Sequence, residues 1–447
     1  MAPGKPFTYC EGAPSWNPAT YIADAALQER AETLLASDNL QSAVAVSFNL
    51  PPPSRDPYVY HAIVSVSLPE VQHVVSLGGR NGLHSWYFAP SSSSNGENSD
   101  NNNNNKPALT PLPPPPRPDI EAYLSLFDPA TSTPAALKAL LSNAKKGSLR
   151  AEIGAYLQSK RYLHPALATQ LTIPKRAAKK GSNSNNSNNK VPPNPYLTFL
   201  NWSARNLEWA GPSRAAALGG NRAHHVLPVL MHHFGCASPS HEALEILRLL
   251  SAGREILDVG SGGGYWSFML RAYGVRAVAV DSAQSSWRVT WVADTVVADG
   301  AEYLRKRRKS NKSQKMGDKG NSAPVPDPEE AVLLLVYPIV GGELAGGEEG
   351  GFTRRMIDVY AGDTLAVVGT QNRSGYTGFR DMSMDEYMER EHSSEWIKVV
   401  QIALPSFPGK DEALFVFQRG SRAPSRDTDT VLGANQSGGG SESKGGT

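Results

Sequence analysis

The sequence predicts an α/β protein whose second half forms a doubly wound, mostly parallel sheet of seven strands that ends in an antiparallel hairpin. Three observations support this class. Strand-like and helix-like segments alternate from residue 254 onward, which is typical of a parallel sheet covered by helices on both faces. A glycine-rich turn joins the first of these strands to a helix. Only residues 405–411 separate the last two strand-like runs, too few for a crossover helix, so these strands should be antiparallel.

Strands are predicted where short apolar runs are bounded by glycine, proline or polar residues, namely at 254–259, 275–280, 295–297, 332–336, 364–368, 396–404 and 413–417. Helices are predicted where apolar residues recur with helical spacing, namely at 197–209, 222–234, 239–250, 265–273, 301–308, 352–360 and 384–391. Ser238 is the expected N-cap of the third helix, with Pro239 at its first position. Residues 282–294 leave little room between the second and third strands, so a short or distorted crossover helix is expected there.

The rest of the chain is predicted to be an accessory region and low-complexity segments. Residues 1–175 should form an N-terminal α+β lobe, with strands at 43–50 and 59–68 and helices within 119–141. Asn-, Ser-, Pro- and Gly-rich compositions bury too little apolar surface to fold. Disorder is therefore expected at 91–118, in a linker at 176–194, in an insert at 310–328 within the 195–420 domain, and in a tail at 421–447.

Composition excludes several classes of protein. A net charge of +2 gives no global field for nucleic acid or membranes, although basic runs at 175–180 and 305–309 leave open an RNA contact beside solvated linker edges. The two cysteines, Cys10 and Cys236, exclude a disulfide framework and a cysteine-based zinc site. The longest apolar run, 331–340, is too short to cross a bilayer. A cytoplasmic or nuclear protein without a membrane partner is expected.

The most informative motif is the run Glu255-Ile-Leu-Asp-Val-Gly-Ser-Gly-Gly-Gly-Tyr-Trp266. It begins as a strand, turns through glycines and opens a helix. Glycines allow a tight turn and close approach of a ligand, and the helix N-terminus suits a carboxylate or phosphate. The dinucleotide fingerprint G-x-G-x-x-G fails, because its last glycine would fall on Tyr265.

The G-x-G-x-G spacing of Gly260, Gly262 and Gly264 after Asp258 resembles the first motif of class I S-adenosylmethionine-dependent methyltransferases. The resemblance covers about residues 195–420 and implies a Rossmann-like fold, S-adenosyl-L-methionine as cofactor and methyl transfer as the activity. Within it, Asp281 would hold the ribose hydroxyls and Asp299 the adenine amino group. The implied cofactor-binding residues are Asp258, Gly260, Ser261, Gly262, Gly264, Trp266, Asp281, Asp299 and Gly300.

The sequence gives less information about the methyl acceptor. Related enzymes that methylate planar nitrogens often carry Asn/Asp-Pro-Pro-Tyr after the fourth strand, whereas this chain has Tyr-Pro-Ile-Val at 337–340, so a nucleobase or glutamine acceptor loses support. A polar, glycine-flanked loop at 369–380 follows the fifth strand, where open α/β sheets bind ligands. The substrate-side candidates are Tyr337, Asn372, Tyr376 and His225.

Several alternatives stay open at this stage. The histidines at 224, 225, 232 and 233 could pack, act in acid/base chemistry or bind a metal, but no carboxylate or cysteine completes a ligand set within that helix, so no metal is predicted. The methyl acceptor is protein, RNA or a small molecule. Besides the methyltransferase itself, a non-catalytic cofactor-binding or scaffold protein and an RNA-associated methyltransferase remain as hypotheses.

Overall fold

The computed structural model of the protein describes residues 14–62, 64–90, 109–175, 191–214, 223–317, 331–338 and 348–425, without the side chains of Pro90 and of residues 309–317. The helices are α1 Pro18–Ala23, α2 Ala25–Ala36, α3 Leu40–Ser47, α4 Leu68–Leu77, α5 Arg117–Leu124, α6 Thr133–Ser142, α7 Leu149–Lys160, α8 Ala168–Leu171, α9 Pro195–Asn206, α10 Val226–Phe234, α11 His241–Ser251, α12 Tyr265–Ala272, α13 Gly300–Gly317, α14 Gly351–Val359 and α15 Met384–His392. The strands are β1 Tyr60–His61, β2 Ser65–Val66, β3 Phe88–Pro90, β4 Leu109–Pro111, β5 Tyr162–Leu163, β6 Ile256–Val259, β7 Ala277–Asp281, β8 Val296–Val297, β9 Val332–Val336, β10 Thr364–Thr370, β11 Ile397–Ala403 and β12 Glu412–Gln418.

The main sheet is mixed, with the strand order β5-β11-β12-β10-β9-β6-β7-β8. Strands β6 to β10 are parallel to one another, whereas β12 is antiparallel to both β10 and β11. Numbered from β6, the parallel strands have the order 3-2-1-4-5, which is the Rossmann arrangement over these positions. The order reverses between β6 and β9, and open α/β sheets bind ligands outside the carboxyl ends of the strands at such a point.

The α/β class is confirmed, but the predicted count of seven strands is wrong. The eighth strand, β5, comes from the N-terminal region and pairs with the edge strand β11 through Leu163 opposite Val400 and Tyr162 opposite Gln401. A strand of two residues carries no periodicity, so its pairing depends on the edge that the rest of the sheet offers.

Two predictions in the N-terminal region are also wrong. Residues 43–50 were expected to form a strand, yet most of them belong to α3, whose buried residues Leu40, Ala43, Val44 and Ser47 follow helical spacing. The side chain of Asn39 accepts a hydrogen bond from the Ser42 N–H and caps this helix. Residues 59–68 form the short antiparallel pair β1 and β2 instead of one strand.

Some of the residues predicted to be disordered lie outside the described part of the chain, and others are described by the structure. Residues 91–108, 176–190, 318–330 and 426–447 lie outside the described part of the chain. Residues 109–118 were expected to be disordered, but β4 pairs with β3 and α5 begins at Arg117 with a proline in its first turn, where the missing N–H costs no helix bond. Helix α13 also continues through 310–317, which the sequence assigned to the disordered insert.

The start of α11 differs slightly from the prediction. Its N-cap is Ser240, whose side chain accepts from the Ala243 N–H, and the helix begins at His241. Residues 282–294 contain no helix, so the crossover from β7 to β8 is irregular throughout.

The sheet separates two apolar cores. Along β9, Val332 and Leu334 belong to one core, and Leu333 and Leu335 belong to the other. The first core continues into residues of α1 to α12, so the N-terminal region shares its apolar interior with one face of the sheet. The second core contains residues of α13, α14 and α15. Within the described ranges, no helix is long and apolar enough to cross a membrane.

Candidate active site

The glycine motif forms a tight turn between β6 and α12. Gly260, Gly262 and Gly264 have φ angles of 78°, 54° and 79°, a left-handed conformation that favours glycine. The N–H groups of Gly260 and Ser261 both donate to the Val280 carbonyl oxygen, at 2.8 and 3.1 Å, which ties the turn to β7. Helix α12 then begins at Tyr265, so its unpaired N–H groups lie at the turn.

Asp281, at the end of β7, lies directly against this turn. Its Oδ2 atom accepts from the Gly262 N–H at 2.8 Å, and its Oδ1 atom accepts from the Ala283 N–H at 2.7 Å. Each carboxylate oxygen has two lone pairs, so the side chain keeps the capacity to accept further hydrogen bonds.

Asp258 is a fully buried carboxyl group beneath the turn. Its Oδ2 atom accepts from the Ser267 hydroxyl at 2.8 Å, while its Oδ1 atom is buried without a hydrogen-bond partner among the described residues. The Ser261 hydroxyl oxygen is likewise buried without a hydrogen-bond partner among the described residues. Burial raises the pKa of Asp258 to about 7. Buried polar atoms are nearly always satisfied, so these two mark a position where a bound molecule can supply the missing partners.

One face of the turn is occupied by the chain's own side chains. A Cβ atom added to Gly262 would lie 2.7 Å from Cζ2 of Trp287, and one added to Gly264 would lie 2.5 Å from Cγ2 of Val292. The space beside Gly262 in the Cβ direction is therefore filled by the Trp287 ring, and the role of Gly262 toward a cofactor stays a prediction. Gly260 is different: it is exposed, and a Cβ there would come no closer than 3.4 Å to Phe352.

The side chains over the turn belong to residues 282–294, called here the covering segment, which the N-terminal region holds in place. Arg288 is fully buried and donates to both carboxylate oxygens of Asp56, at 3.0 and 2.9 Å. Its guanidinium also lies 4.3 Å from the centre of the Tyr58 ring. The backbone N–H of Trp291 donates to the Gly263 carbonyl oxygen at 2.7 Å. The segment is therefore held at both the turn and the N-terminal region.

The other candidates on the cofactor side have structural partners. Asp299 accepts from the Glu302 N–H and from Arg355, each at 3.0 Å. A Cβ at Gly300 would lie 2.4 Å from Cγ1 of Val259, so this glycine is needed for close packing. Trp266 is buried, and its indole N–H donates to the Ala237 carbonyl oxygen at 2.8 Å. Their roles toward a cofactor stay predictions.

Two of the predicted substrate-side residues, Tyr337 and Tyr376, come together around Lys410, which the sequence did not single out. Tyr337 directly follows β9 and has a φ angle of 55°. Such a conformation costs a non-glycine residue about 1–3 kcal/mol and is concentrated at functional sites. Lys410 donates to the Tyr337 hydroxyl oxygen at 2.8 Å, and its Nζ atom lies 3.3 Å from the centre of the Tyr376 ring.

Glu412 is the second residue that the sequence analysis missed. Both of its carboxylate oxygens are buried and make no hydrogen bond of ordinary geometry in the described part of the chain. Burial raises the pKa of Glu412 to about 7, against the opposing effects of Lys410 and the neighbouring Ser406 hydroxyl, which favour the charged form. Burial also lowers the pKa of Lys410. The signal available in the sequence was a pair of charges at the start of the apolar strand β12, although this pattern matches no motif.

The remaining candidates do not join this group of side chains. The Asn372 side chain accepts from the Ser374 N–H at 3.2 Å and stabilises its own loop. His225 is the N-cap of α10, and its ring lies 6.1 Å from that of His224, which contacts Asn81 of the N-terminal region.

The other two histidines of α10 contact the N-terminal region as well. His232 and His233 lie within hydrogen-bonding distance of the hydroxyls of Tyr58 and Tyr60, at 2.7 and 3.0 Å. Among the described residues, no cluster of histidine, cysteine and carboxylate side chains could hold a metal ion.

Comparison with known proteins gives matches to solved structures alone. No protein family model matches the chain, and no curated protein matches it. The 1,6-didemethyltoxoflavin-N1-methyltransferase of Burkholderia thailandensis, solved with S-adenosylhomocysteine, is 15% identical over 40% of this chain and 77% of its own, with a TM-score of 0.25. The mitomycin 7-O-methyltransferase is 12% identical over 90% of this chain and 97% of its own, with a TM-score of 0.24. An O-methyltransferase from neocarzinostatin biosynthesis is 14% identical over 38% of this chain and 50% of its own, with a TM-score of 0.21.

Proposed function

We propose that the protein binds S-adenosylmethionine at the glycine turn and transfers its methyl group to an acceptor at the carboxyl edge of β9 and β10. The observation that carries this proposal is the position of the turn. It lies where the strand order reverses, between β6 and β9, and the Asp281 carboxylate at the end of the neighbouring strand accepts from its Gly262 N–H. Ligands of open α/β sheets bind at this point, and a carboxylate so placed suits the hydroxyls of a ribose.

The polar groups around the turn fit a nucleoside that carries an amino acid. The unpartnered Oδ1 atom of Asp258 can accept a hydrogen bond from an ammonium group, and the N-terminus of α12 can donate to a carboxylate. Asp281 retains lone pairs for ribose hydroxyls. The exposed Gly260 leaves one face of the turn open.

The chain's own contribution is positioning. When bound, S-adenosylmethionine supplies an activated methyl group. The protein then has to hold the acceptor atom in line with that group and keep water away. Tyr337, held in its strained conformation after β9, forms a wall of the acceptor side in this proposal.

A second candidate is a non-catalytic protein that retains the fold and the cofactor site or uses them as a scaffold. The observation that favours it is the Trp287 ring over Gly262, which closes part of the turn. The two candidates differ in turnover and not in fold, so an activity measurement separates them.

Calorimetric titration of the full chain with S-adenosylhomocysteine tests cofactor binding. Asp281→Ala should weaken binding by about 1.5–3 kcal/mol, the value of a hydrogen bond to a charged group. Asp294→Ala is the matched control, because that carboxylate belongs to the covering segment but is 66% exposed and pairs with Arg271. Unchanged affinity in a folded Asp281→Ala protein would contradict the assignment of Asp281, and failure of the wild-type protein to bind would contradict the proposed function.

Transfer is tested by incubating the protein with methyl-labelled S-adenosylmethionine and a fractionated lysate. Label in the protein, RNA or small-molecule fraction identifies the class of acceptor. Binding without any transfer would select the second candidate.

A further inference from the structure

Among the described residues, the most unusual group of side chains outside the glycine turn is a set called here the Lys410 cluster, in which Cys236 and Tyr376 are partly buried and the other members are buried. It consists of Cys236, Tyr337, Tyr376, Lys410 and Glu412. Lys410 and Glu412 are only 4% and 1% exposed. Lysine and glutamate are almost never buried unless they are paired, yet the Glu412 carboxylate makes no hydrogen bond of ordinary geometry in the described part of the chain. Packing alone gives no reason for this arrangement, because an apolar pair would remove the desolvation cost of both charges.

The cluster lies at the same edge of the sheet as the glycine turn. Glu412 is paired with Thr370, the last residue of β10, and Tyr337 directly follows β9. Strand β9 is the neighbour of β6, which ends at the turn. Parallel strands present their carboxyl ends to one edge, so a methyl donor at the turn and an acceptor beside Tyr337 would be adjacent.

We propose that Lys410 is the catalytic base of the proposed methyl transfer, that Glu412 is a positioning residue which balances its charge, and that the acceptor is a hydroxyl group. This inference rests on the proposed function. The Lys410 Nζ atom is held by the Tyr337 hydroxyl oxygen and by the face of the Tyr376 ring, so its position is defined before any acceptor arrives.

The hydrogen-bonding inventory selects a hydroxyl over an ammonium group. The Tyr337 oxygen accepts from Lys410, so its own hydrogen remains to be donated. An acceptor oxygen can take that hydrogen bond, whereas an ammonium group has no lone pair to offer. A thiolate or a basic ring nitrogen would need no proton acceptor, which would leave a buried lysine without a purpose.

The proposed step transfers a methyl group to the acceptor oxygen and a proton to Lys410. The oxygen–hydrogen bond of the acceptor breaks while an oxygen–carbon bond to the methyl group forms. The proton moves to the Lys410 amine, and the electron pair of the broken carbon–sulfur bond remains on sulfur. Lys410 becomes an ammonium ion beside the Glu412 carboxylate, and it returns the proton to water after product release.

The other titratable groups around Lys410 and Glu412 are poor alternatives for the base. Burial raises the pKa of the Cys236 thiol to about 11, and it raises the pKa values of Tyr196, Tyr337 and Tyr376. Asp411 is the remaining acid, but its two oxygens already accept hydrogen bonds from Tyr156 and Gln371.

The test uses 4-nitrophenol, a hydroxyl compound whose ionised form absorbs visible light. It is added to the full chain saturated with S-adenosylhomocysteine, at a pH where the free compound is mainly protonated. The wild-type protein should produce the absorbance of the bound phenolate. Lys410→Met should abolish it, and Glu412→Gln should reduce it, because loss of the carboxylate makes Lys410 a weaker base. Lys398→Met is the matched control, since Lys398 is a half-buried lysine that pairs with Asp385 outside the cluster.

Circular dichroism and S-adenosylhomocysteine affinity serve as fold controls for each variant. Equal phenolate absorbance in wild type and Lys410→Met would overturn the proposal, and so would its absence in a wild-type protein that binds S-adenosylhomocysteine. If Lys410→Met does not fold, the decision passes to Glu412→Gln, whose unchanged signal would equally overturn it. Failure of the wild-type protein to bind S-adenosylhomocysteine is a separate result, which counts against the proposed function itself.

Discussion

The glycine turn and the Lys410 cluster lie at the same edge of the sheet, but packing explains the glycines of the turn and does not explain the charged residues of the cluster. At the turn, a Cβ atom added to Gly262 or to Gly264 would meet a side chain packed against it, so the recognisable motif also has an ordinary structural reason. The Lys410 cluster matches no motif, but among the described residues it leaves both carboxylate oxygens of Glu412 buried without a hydrogen-bond partner. A motif therefore indicates the shape of the backbone, whereas an unpartnered buried carboxylate oxygen, at Glu412 as at Asp258 beside the turn, indicates a place where a bound molecule can supply the missing partner.

The largest effect on stability is expected when the link between the covering segment and the N-terminal region is broken. Arg288→Met leaves the Asp56 carboxylate, whose side chain is 8% exposed, without its partner. Removing one member of a buried ion pair costs about 3–5 kcal/mol. Urea unfolding measures the change. The control is Asp294→Ala, which removes an ion pair whose carboxylate is 66% exposed, and it should cost about 1 kcal/mol or less. Equal losses in the two variants would show that the link does not stabilise the fold.

An intermediate effect separates packing from ligand binding at the turn. Gly262→Ala should cost about 2–3 kcal/mol, because its Cβ meets the Trp287 ring and its φ angle is positive. In a Trp287→Ala background the same change should cost only about 1 kcal/mol, the conformational part. Gly260→Ala is the control, since its φ angle is also positive but an added Cβ atom would come no closer than 3.4 Å to Phe352. Additive costs in this double-mutant cycle would contradict the Trp287 contact.

The third expected effect is a slope with pH, which Asp258 confers. Burial raises its pKa from 3.8 to about 7 in the folded protein, so the folded state binds more protons than the unfolded state between these values. The free energy of unfolding should therefore fall as the pH rises through this window, by at most about 1.4 kcal/mol per pH unit, and Asp258 adds no further slope above it.

Asp258→Asn should remove this contribution. Asp411 and Glu412 also have raised pKa values and act in the same direction, so the quantity to measure is the difference between wild type and variant. Unfolding at several pH values between about 4 and 7 provides it. If the Asp258 oxygen binds an ammonium group, S-adenosylhomocysteine should also release a proton when it binds at the acid end of this window. Calorimetry in buffers of different ionisation enthalpy would detect that release, and an identical heat in each buffer would count against it.

Most of the sheet could be predicted from local pattern. Apolar runs such as 332–336 became strands with the expected bounds, and the helices after the turn began within a few residues of their predicted starts. The failures share a physical cause. β5 has two residues and pairs with the edge strand β11, and α3 has eight residues, so in both places the local pattern is too short to decide the element.

The candidate site also has one part that local sequence predicts and one part that it does not. The sequence by itself determined the glycine turn and the arrival of Asp281 beside it, because strand, turn and strand follow one another along the chain and a parallel sheet aligns their ends. Only the tertiary structure decided that Trp287 fills the space over Gly262, that Asp56 holds Arg288, and that Lys410 meets Tyr337. These contacts join residues 25, 232 and 73 positions apart in the chain. Their energy comes from burial of specific atoms against one another, which no local spacing of residue types encodes.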